Sequence, residues 1–452
     1  MSDLEGILTI RHSPRIFYGW AIVAAGGLVQ AYTSAVFWRG FQAFFDPIVE
    51  TFGWSRGATA AAVSLQRTEG GMISPFVGRL IDRYGPRWVM LVGVVITGAS
   101  FILMSRVTSL WHFYAAMALL TLGMSLGTFI VLVTTVGNWF IRRRARALAV
   151  LMSCTAIGGF ALPLLVSSID SFGWRDVLFA VGVGFWIVGF PAAFVMRQRP
   201  EQYGLAPDGD HPGEADAERP RLLHEPRMGV REVLRTRFFW QFSLASSLGQ
   251  LVSSTNLLHL SALKDFGVSP GFAAVAVGSI AIGDFIGRIS TGFIGDRFDK
   301  RWVLAGAYFF MVVGTLSLGL VNLGLSGGSL GSTVPITVFV IGCGMGFGIS
   351  IPLRFAMLAD YVGRRSFGSI LGIASTAGAV LGAVGPVFVG LTFDLTGGYR
   401  PAFLILAAVT AFAIPLSLTL ESPSRFAAKV RRAASIARSS SQTARPADIS
   451  RT

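Results

Sequence analysis

Gly78-Arg79-Leu80-Ile81-Asp82-Arg83-Tyr84-Gly85-Pro86-Arg87-Trp88 returns later in the chain as Gly292-Phe293-Ile294-Gly295-Asp296-Arg297-Phe298-Asp299-Lys300-Arg301-Trp302. The two copies keep Gly, Asp-Arg and Arg-Trp in register at an offset of 214 residues, from 78 to 292. The same offset carries Phe52-Gly53, Ser55 and Gly57 onto Phe266-Gly267, Ser269 and Gly271. Matches that flank an entire apolar run on both sides, without a gap, mark a duplicated unit. A further echo sets Gly173-Trp174-Arg175 against Gly398-Tyr399-Arg400 at an offset of 225. The chain reads as two homologous halves, with the quoted loop between the second and third apolar segments of each.

Those segments decide the fold class. Apolar residues make up 52% of the 452 residues and charged residues 14%, against about 25% charge in soluble domains. A bilayer core about 30 Å thick takes roughly 20 apolar helical residues to cross. That length fits twelve runs: 17–38, 57–79, 88–105, 111–135, 147–169, 176–196, 238–262, 271–294, 302–322, 334–357, 367–391 and 402–420. They must be helical, because lipid offers no partner to an open backbone group. The 54 glycines suit close helix–helix approach. The expected architecture is an all-α membrane protein of two homologous six-helix bundles, 17–196 and 238–421. A polar linker, 197–237, joins them; residues 1–16 precede them, and a disordered tail, 422–452, rich in Ser, Arg and Ala, follows.

The net charge of +14 invites a nucleic-acid reading, which its distribution excludes. With alternating sides, 29 of the 38 Lys/Arg fall on the side of both termini, five on the other (Arg56, Arg106, Arg175, Lys264, Arg400) and four inside spans. That is the positive-inside pattern, so both termini are expected in the cytoplasm, and the localisation is expected to be a cell inner membrane. Arg11 and Arg15 precede an apolar run too long for a cleaved signal. Cys154 and Cys343 both fall within spans and imply no disulfide. No metal-ligand spacing, nucleophile elbow or phosphate loop appears, so neither enzyme activity, cofactor nor metal is expected. The expected partners are lipid, a small anionic substrate and a proton, with a monomer as the functional unit.

The quoted loop resembles the hallmark motif of the major facilitator superfamily, G-x-L-x-D-R-x-G-x-R. Gly78, Asp82, Arg83, Gly85 and Arg87 match it in the first copy. Asp296, Arg297 and Arg301 match in the second, where Asp299 replaces the glycine. The resemblance implies a gating role: Asp82 would face the positive N-terminal end of the eleventh helix, near Ser366, and hold the cytoplasmic side closed. Arg83 and Arg87 read equally as a solvated basic turn. A narrower resemblance rests on Asn138-Trp139-Phe140-Ile141-Arg142-Arg143-Arg144-Ala145-Arg146-Ala147-Leu148 followed by Gly158-Gly159. Ala359-Asp360-Tyr361, Phe367-Gly368, Gly385-Pro386 and Asp394 to Tyr399 extend it. These are similar to monocarboxylate transporters and to their bacterial relatives such as the oxalate:formate antiporter.

Charges inside the spans are costly unless paired or wet, and so point to function. Asp284 and Arg288 stand i,i+4 on one helix face and can pair. The resemblance implies that Arg288 holds a substrate carboxylate, for which its planar fork suits, and that Asp284 takes a coupled proton. Arg39 sits where that group has an outer-gate lysine, though a snorkelling side chain would fit there too. Arg67 and Glu69 share the second span; Glu69 is a second proton site or the neutralising partner of Arg67. Arg354, in the inner third of the tenth span, either snorkels or meets substrate. Four arginines against two carboxylates favour an anion. Tyr32, Asn256 and His259 could complete a substrate site, with Gln30 and Gln250 as further polar candidates; each alone is commonly an interhelical hydrogen bond. The eleventh span has no charge, unlike the oxalate:formate antiporter, which uses a lysine there. The expected function is proton-coupled symport of a small organic anion, most simply a monocarboxylate, by alternating access. The alternatives are an anion exchanger, a carrier of a larger metabolite, vitamin or drug, and a non-transporting membrane sensor.

Overall fold

The computed structural model describes residues 17–38, 40–53, 70, 72–159, 161–209, 228–321, 330–364, 366–422, 425–426 and 428–429. Among them lie α1 (Tyr18–Trp38), α2 (72–84), α3 (Pro86–Ser105), α4 (Leu110–Trp139), α5 (Arg144–Gly159) and α6 (Trp174–Val195). The second half supplies α7 (Arg237–Ser254), α8 (Pro270–Ile294), α9 (Lys300–Gly319), α10 (Leu330–Val362), α11 (Phe367–Thr396) and α12 (Arg400–Leu418). Nine of the helices among the described residues are long and apolar enough to cross a bilayer. The other three runs depart for physical reasons or by position. Much of the second, 54–69 and 71, lies outside the described residues. The fifth breaks after Gly158-Gly159 and resumes as Leu162–Phe172, with Pro163 unable to donate back into the first segment. The seventh breaks at a 3-10 turn, Thr255–Leu258. There Ser253, Ser254 and Thr255 all turn their hydroxyls onto carbonyls of the preceding turn, at 2.7–3.0 Å, a competition that weakens the helix.

Packing repeats between the halves as the sequence does. α3 packs on α4 and α6, and α9 on α10 and α12; α1 packs on α5, and α7 on α11. The halves meet through α5 against α8 and through α2 against α11. Gly78 makes the second contact possible: a Cβ there would lie 2.0 Å from the Gly368 carbonyl oxygen. Apolar side chains face outward as lipid demands. Trp88 and its repeat equivalent Trp302 are each 66% exposed at one end, where an aromatic belt belongs. This end, the basic face, carries both hallmark loops.

Candidate functional site

The basic face is closed by two equivalent clasps. Asp82, at the end of α2, accepts hydrogen bonds from the first backbone N–H groups of α11, Gly368 at 3.2 Å and Ser369 at 2.9 Å, and from the Ser369 hydroxyl at 2.6 Å. Asp296, after α8, accepts from the first N–H groups of α5, Ala145 at 3.0 Å and Arg146 at 3.1 Å. Each carboxylate of one half thus meets the positive helix end of the other half. Burial pushes both carboxyls above the usual carboxylate range. For Asp82 the bonds from Ser369 and Gly368 pull against it, and for Asp296 the Lys300 charge and the bonds from Arg146 and Ala145 do so.

The two loops make their turns differently. Gly85 has φ of 82° and precedes Pro86 at the start of α3, a conformation that favours glycine. Asp299 turns with φ of −62° and caps α9 with its own side chain, accepting from Arg301 N at 3.0 Å. This explains the departure from the motif, and the Arg301 bonds hold the Asp299 carboxyl low. Arg83, Arg87 and Arg297 are exposed. Arg83 lies over the Tyr84 ring at 5.3 Å and Arg87 over Phe194 at 4.7 Å, which fits the solvated reading of these arginines.

Between the clasps lies a charge cluster that sequence reasoning missed. Arg144 is 2% exposed and donates at 2.5 Å to Asp360 of α10, whose other oxygen takes Lys300 at 2.5 Å. One carboxylate therefore ties α5 to α10 and α9 across the halves. The segment after α6 joins in. Asp208, buried at 3% exposure with φ of 60°, accepts from the N–H groups of Ile141, Arg142 and Arg143 at 2.9, 2.9 and 3.0 Å. Glu201 pairs with Arg364 at 2.6 Å, and Arg364 also donates to the Asn138 carbonyl. The start of the expected linker is thus a docked strap. Charge-assisted bonds of this kind contribute roughly 1.5–3 kcal/mol each. Asp208→Ala is expected to speed amide exchange at Ile141–Arg143 by about 100-fold, the kinetic equivalent of roughly 3 kcal/mol. Asp208→Asn, which tolerates the left-handed conformation, should fall between. Unchanged exchange would mean the strap does not depend on this carboxylate.

Deeper in, Asp284 and Arg288 of α8 form the pair that their spacing predicts. Arg288 Nη2 stands 2.8 Å from one Asp284 oxygen and Nε 2.9 Å from the other, with 11% and 13% of the side chains exposed. The guanidinium also crosses to the first half, donating from Nη1 to the Met152 carbonyl at 2.7 Å and to Thr155 Oγ1 at 2.8 Å on α5. Thr155 is tied further, its carbonyl accepting from Ser34 of α1 at 2.6 Å. A permanent cation thus sits where the halves meet, shared between a carboxylate and neutral acceptors that an anion could replace.

A family model described as Major Facilitator Superfamily matches residues 27–263 and 253–446. The chain belongs to this superfamily. It is similar to Monocarboxylate transporter 13 of Bos taurus, 25% identical over 405 residues and covering 86% of each chain. It is also similar to Monocarboxylate transporter 12 of Mus musculus, 28% identical over 430 residues, covering 87% of this chain and 84% of the relative. Among solved structures, the human organic anion transporter MFSD10 (TETRAN) matches with a TM-score of 0.64 at 16% identity, over 88% of this chain and 99% of that one, and shows the shared fold. The protein is a multi-pass membrane transporter of the Major Facilitator Superfamily, related to monocarboxylate transporters, with a small-molecule substrate and no enzyme activity.

Within this superfamily fold Tyr32, His259 and Arg354 have partners of their own rather than Arg288. The Tyr32 hydroxyl donates to the Val181 carbonyl of α6 at 2.9 Å, an interhelical bond inside the first half. His259 is 1% exposed and packs edge-on against Phe339 at 4.9 Å and near Phe403 at 5.7 Å, with Thr255 Oγ1 3.4 Å from Nε2. Its ring thus lies against aromatic side chains of α10 and α12, and its buried Nδ1 has no hydrogen-bond partner. Asn256 lies exposed in the turn that breaks the seventh run. Arg39, Arg67 and Glu69 lie outside the described residues. Arg354 does not snorkel; it is 8% exposed and donates to the Ser246 carbonyl of α7 at 2.8 Å.

Proposed function

We propose that the protein is a proton-coupled symporter of a small organic monocarboxylate in the cell inner membrane, with its basic face and both termini in the cytoplasm. The observation that carries this reading is the shared guanidinium of Arg288, bound to Asp284 on its own helix and to α5 of the other half. Protonation of Asp284 removes the charge that competes for Arg288. The substrate carboxylate then takes the fork, which offers two parallel donors. It displaces the Met152 and Thr155 acceptors, and the tie between α8 and α5 loosens. The clasps at Asp82 and Asp296 can then open, and substrate and proton leave together.

A proton moving with a monoanion carries no net charge. The membrane potential, about 2.3 kcal/mol per charge per 100 mV, then contributes nothing, and the pH gradient drives transport. Proteoliposomes loaded at neutral pH and placed one unit more acid are expected to accumulate a radiolabelled monocarboxylate about tenfold, with no response to an imposed potassium diffusion potential. Accumulation that follows the potential, or exchange without net uptake, would replace symport by another transport mode. No transport across a broad carboxylate panel would favour the sensor reading.

A further inference from the structure

A cation sealed inside a protein ordinarily has a carboxylate beside it, since an uncompensated buried charge is strongly unfavourable. Arg354 breaks that rule. It is 8% exposed, meets no carboxylate among the described residues, and its one hydrogen bond goes to the neutral Ser246 carbonyl. Its buried Nε has no partner, and beside it the Tyr308 hydroxyl meets that of Ser246. An arginine fork with an unpartnered N–H, beside a hydroxyl pair with one O–H to spare, forms a donor set complementary to an oxyanion.

Its depth follows from helix register. Arg288 N lies opposite Gly348, and Thr291 donates to the Ile349 carbonyl. Arg354 is six residues beyond Gly348 toward the basic face (348 to 354), about 9 Å at 1.5 Å per residue. The next residue, Phe355, closes edge-on against Phe129 of the other half, with ring centroids 5.2 Å apart. Arg354, at the preceding position of α10, turns to α7 within its own half, one level below Arg288 and beside this aromatic contact between the halves.

We propose that Arg354 is the centre of a second anion site, opened when Phe129 and Phe355 part, that takes the cargo's carboxylate between Arg288 and the basic face. The cargo rests on the symport reading above; the anion selectivity of the site does not. With Cys154 and Cys343 replaced by serine, S246C is expected to favour sulfonatoethyl over trimethylammonioethyl methanethiosulfonate by about tenfold relative to a free thiol, and R354Q to abolish that preference. Equal preference in both backgrounds, or no reaction of S246C, overturns the proposal. In oriented vesicles R354Q should raise KM for pyruvate or benzoate offered at the basic face about tenfold, while KM from the other face stays within about twofold, and R354K should recover part of the loss. Equal changes on both faces would show a packing role only and overturn the site. If the parent carries neither anion, the symport reading falls and the labelling ratio alone decides Arg354.

Discussion

Asp360→Ala is expected to shift the protein toward a state open on its basic face and to lower its thermal stability. Asp360 is the only carboxylate that Arg144 meets among the described residues, and Arg144 is 2% exposed with its Nη2 already unpaired. Removing one partner from a buried ion pair typically costs about 3–5 kcal/mol, because the other charge stays behind unpaired. Lys300, 17% exposed, loses its partner at the same step. Opening the face relieves the stranded cations by wetting them, so the cost falls on the closed state alone. Asn138 reports this change: it is buried in the closed state and its carbonyl is gripped by Arg364. With Cys154 and Cys343 removed, N138C should react with an impermeant maleimide about 100-fold faster in Asp360→Ala than in the parent. An unchanged rate would mean that the clasps at Asp82 and Asp296 hold the face unaided.

Asp284→Asn is expected to uncouple transport from the pH gradient. The amide keeps the size of the carboxyl and can still accept from Arg288 Nε, so the helix face is preserved. It carries no charge and binds no proton in the cycle. Arg288 then competes for the substrate carboxylate without an internal rival, and KM should fall while accumulation disappears. A one-unit gradient corresponds to about 1.4 kcal/mol, or tenfold accumulation for a one-to-one symporter; the variant should equilibrate at a ratio of about one. Retained, pH-dependent accumulation in Asp284→Asn would refute the proposed coupling.

Local regularities were legible in the sequence and distant ones were not. Asp284 and Arg288 are four residues apart on one helix, so their pairing follows from helical geometry alone. Asp82 and its helix-end partner followed from the resemblance, and Asp299 was visible as a departure before its capping role was. Arg144 and Asp360 stand 216 residues apart, in segments quoted only for their likeness to a family, and nothing local joins them. Asp208 sits in a polar stretch whose composition suits a solvated linker, and its three N–H donors belong to a loop more than sixty residues upstream. Tyr32 and His259 show the converse limit. A polar residue in an apolar run reveals that it needs a partner, not which way it points; one found a carbonyl of its own half and the other an aromatic cage. The breaks in the fifth and seventh runs escaped because hydropathy does not register a proline or a row of back-bonding hydroxyls.

The two clasps have a consequence for descent. Asp82 grips the fifth helix of the second half, and Asp296 grips the fifth helix of the first. That reciprocity is isologous, the arrangement by which two identical subunits meet about a two-fold axis. A half-length ancestor pairing with its twin would have made both grips from a single aspartate. Fusion then freed each copy to drift: one loop kept its left-handed glycine while the other turned to a capping aspartate. Only after fusion could a single carboxylate such as Asp360, with no mirror image among the described ties, take up a post of its own.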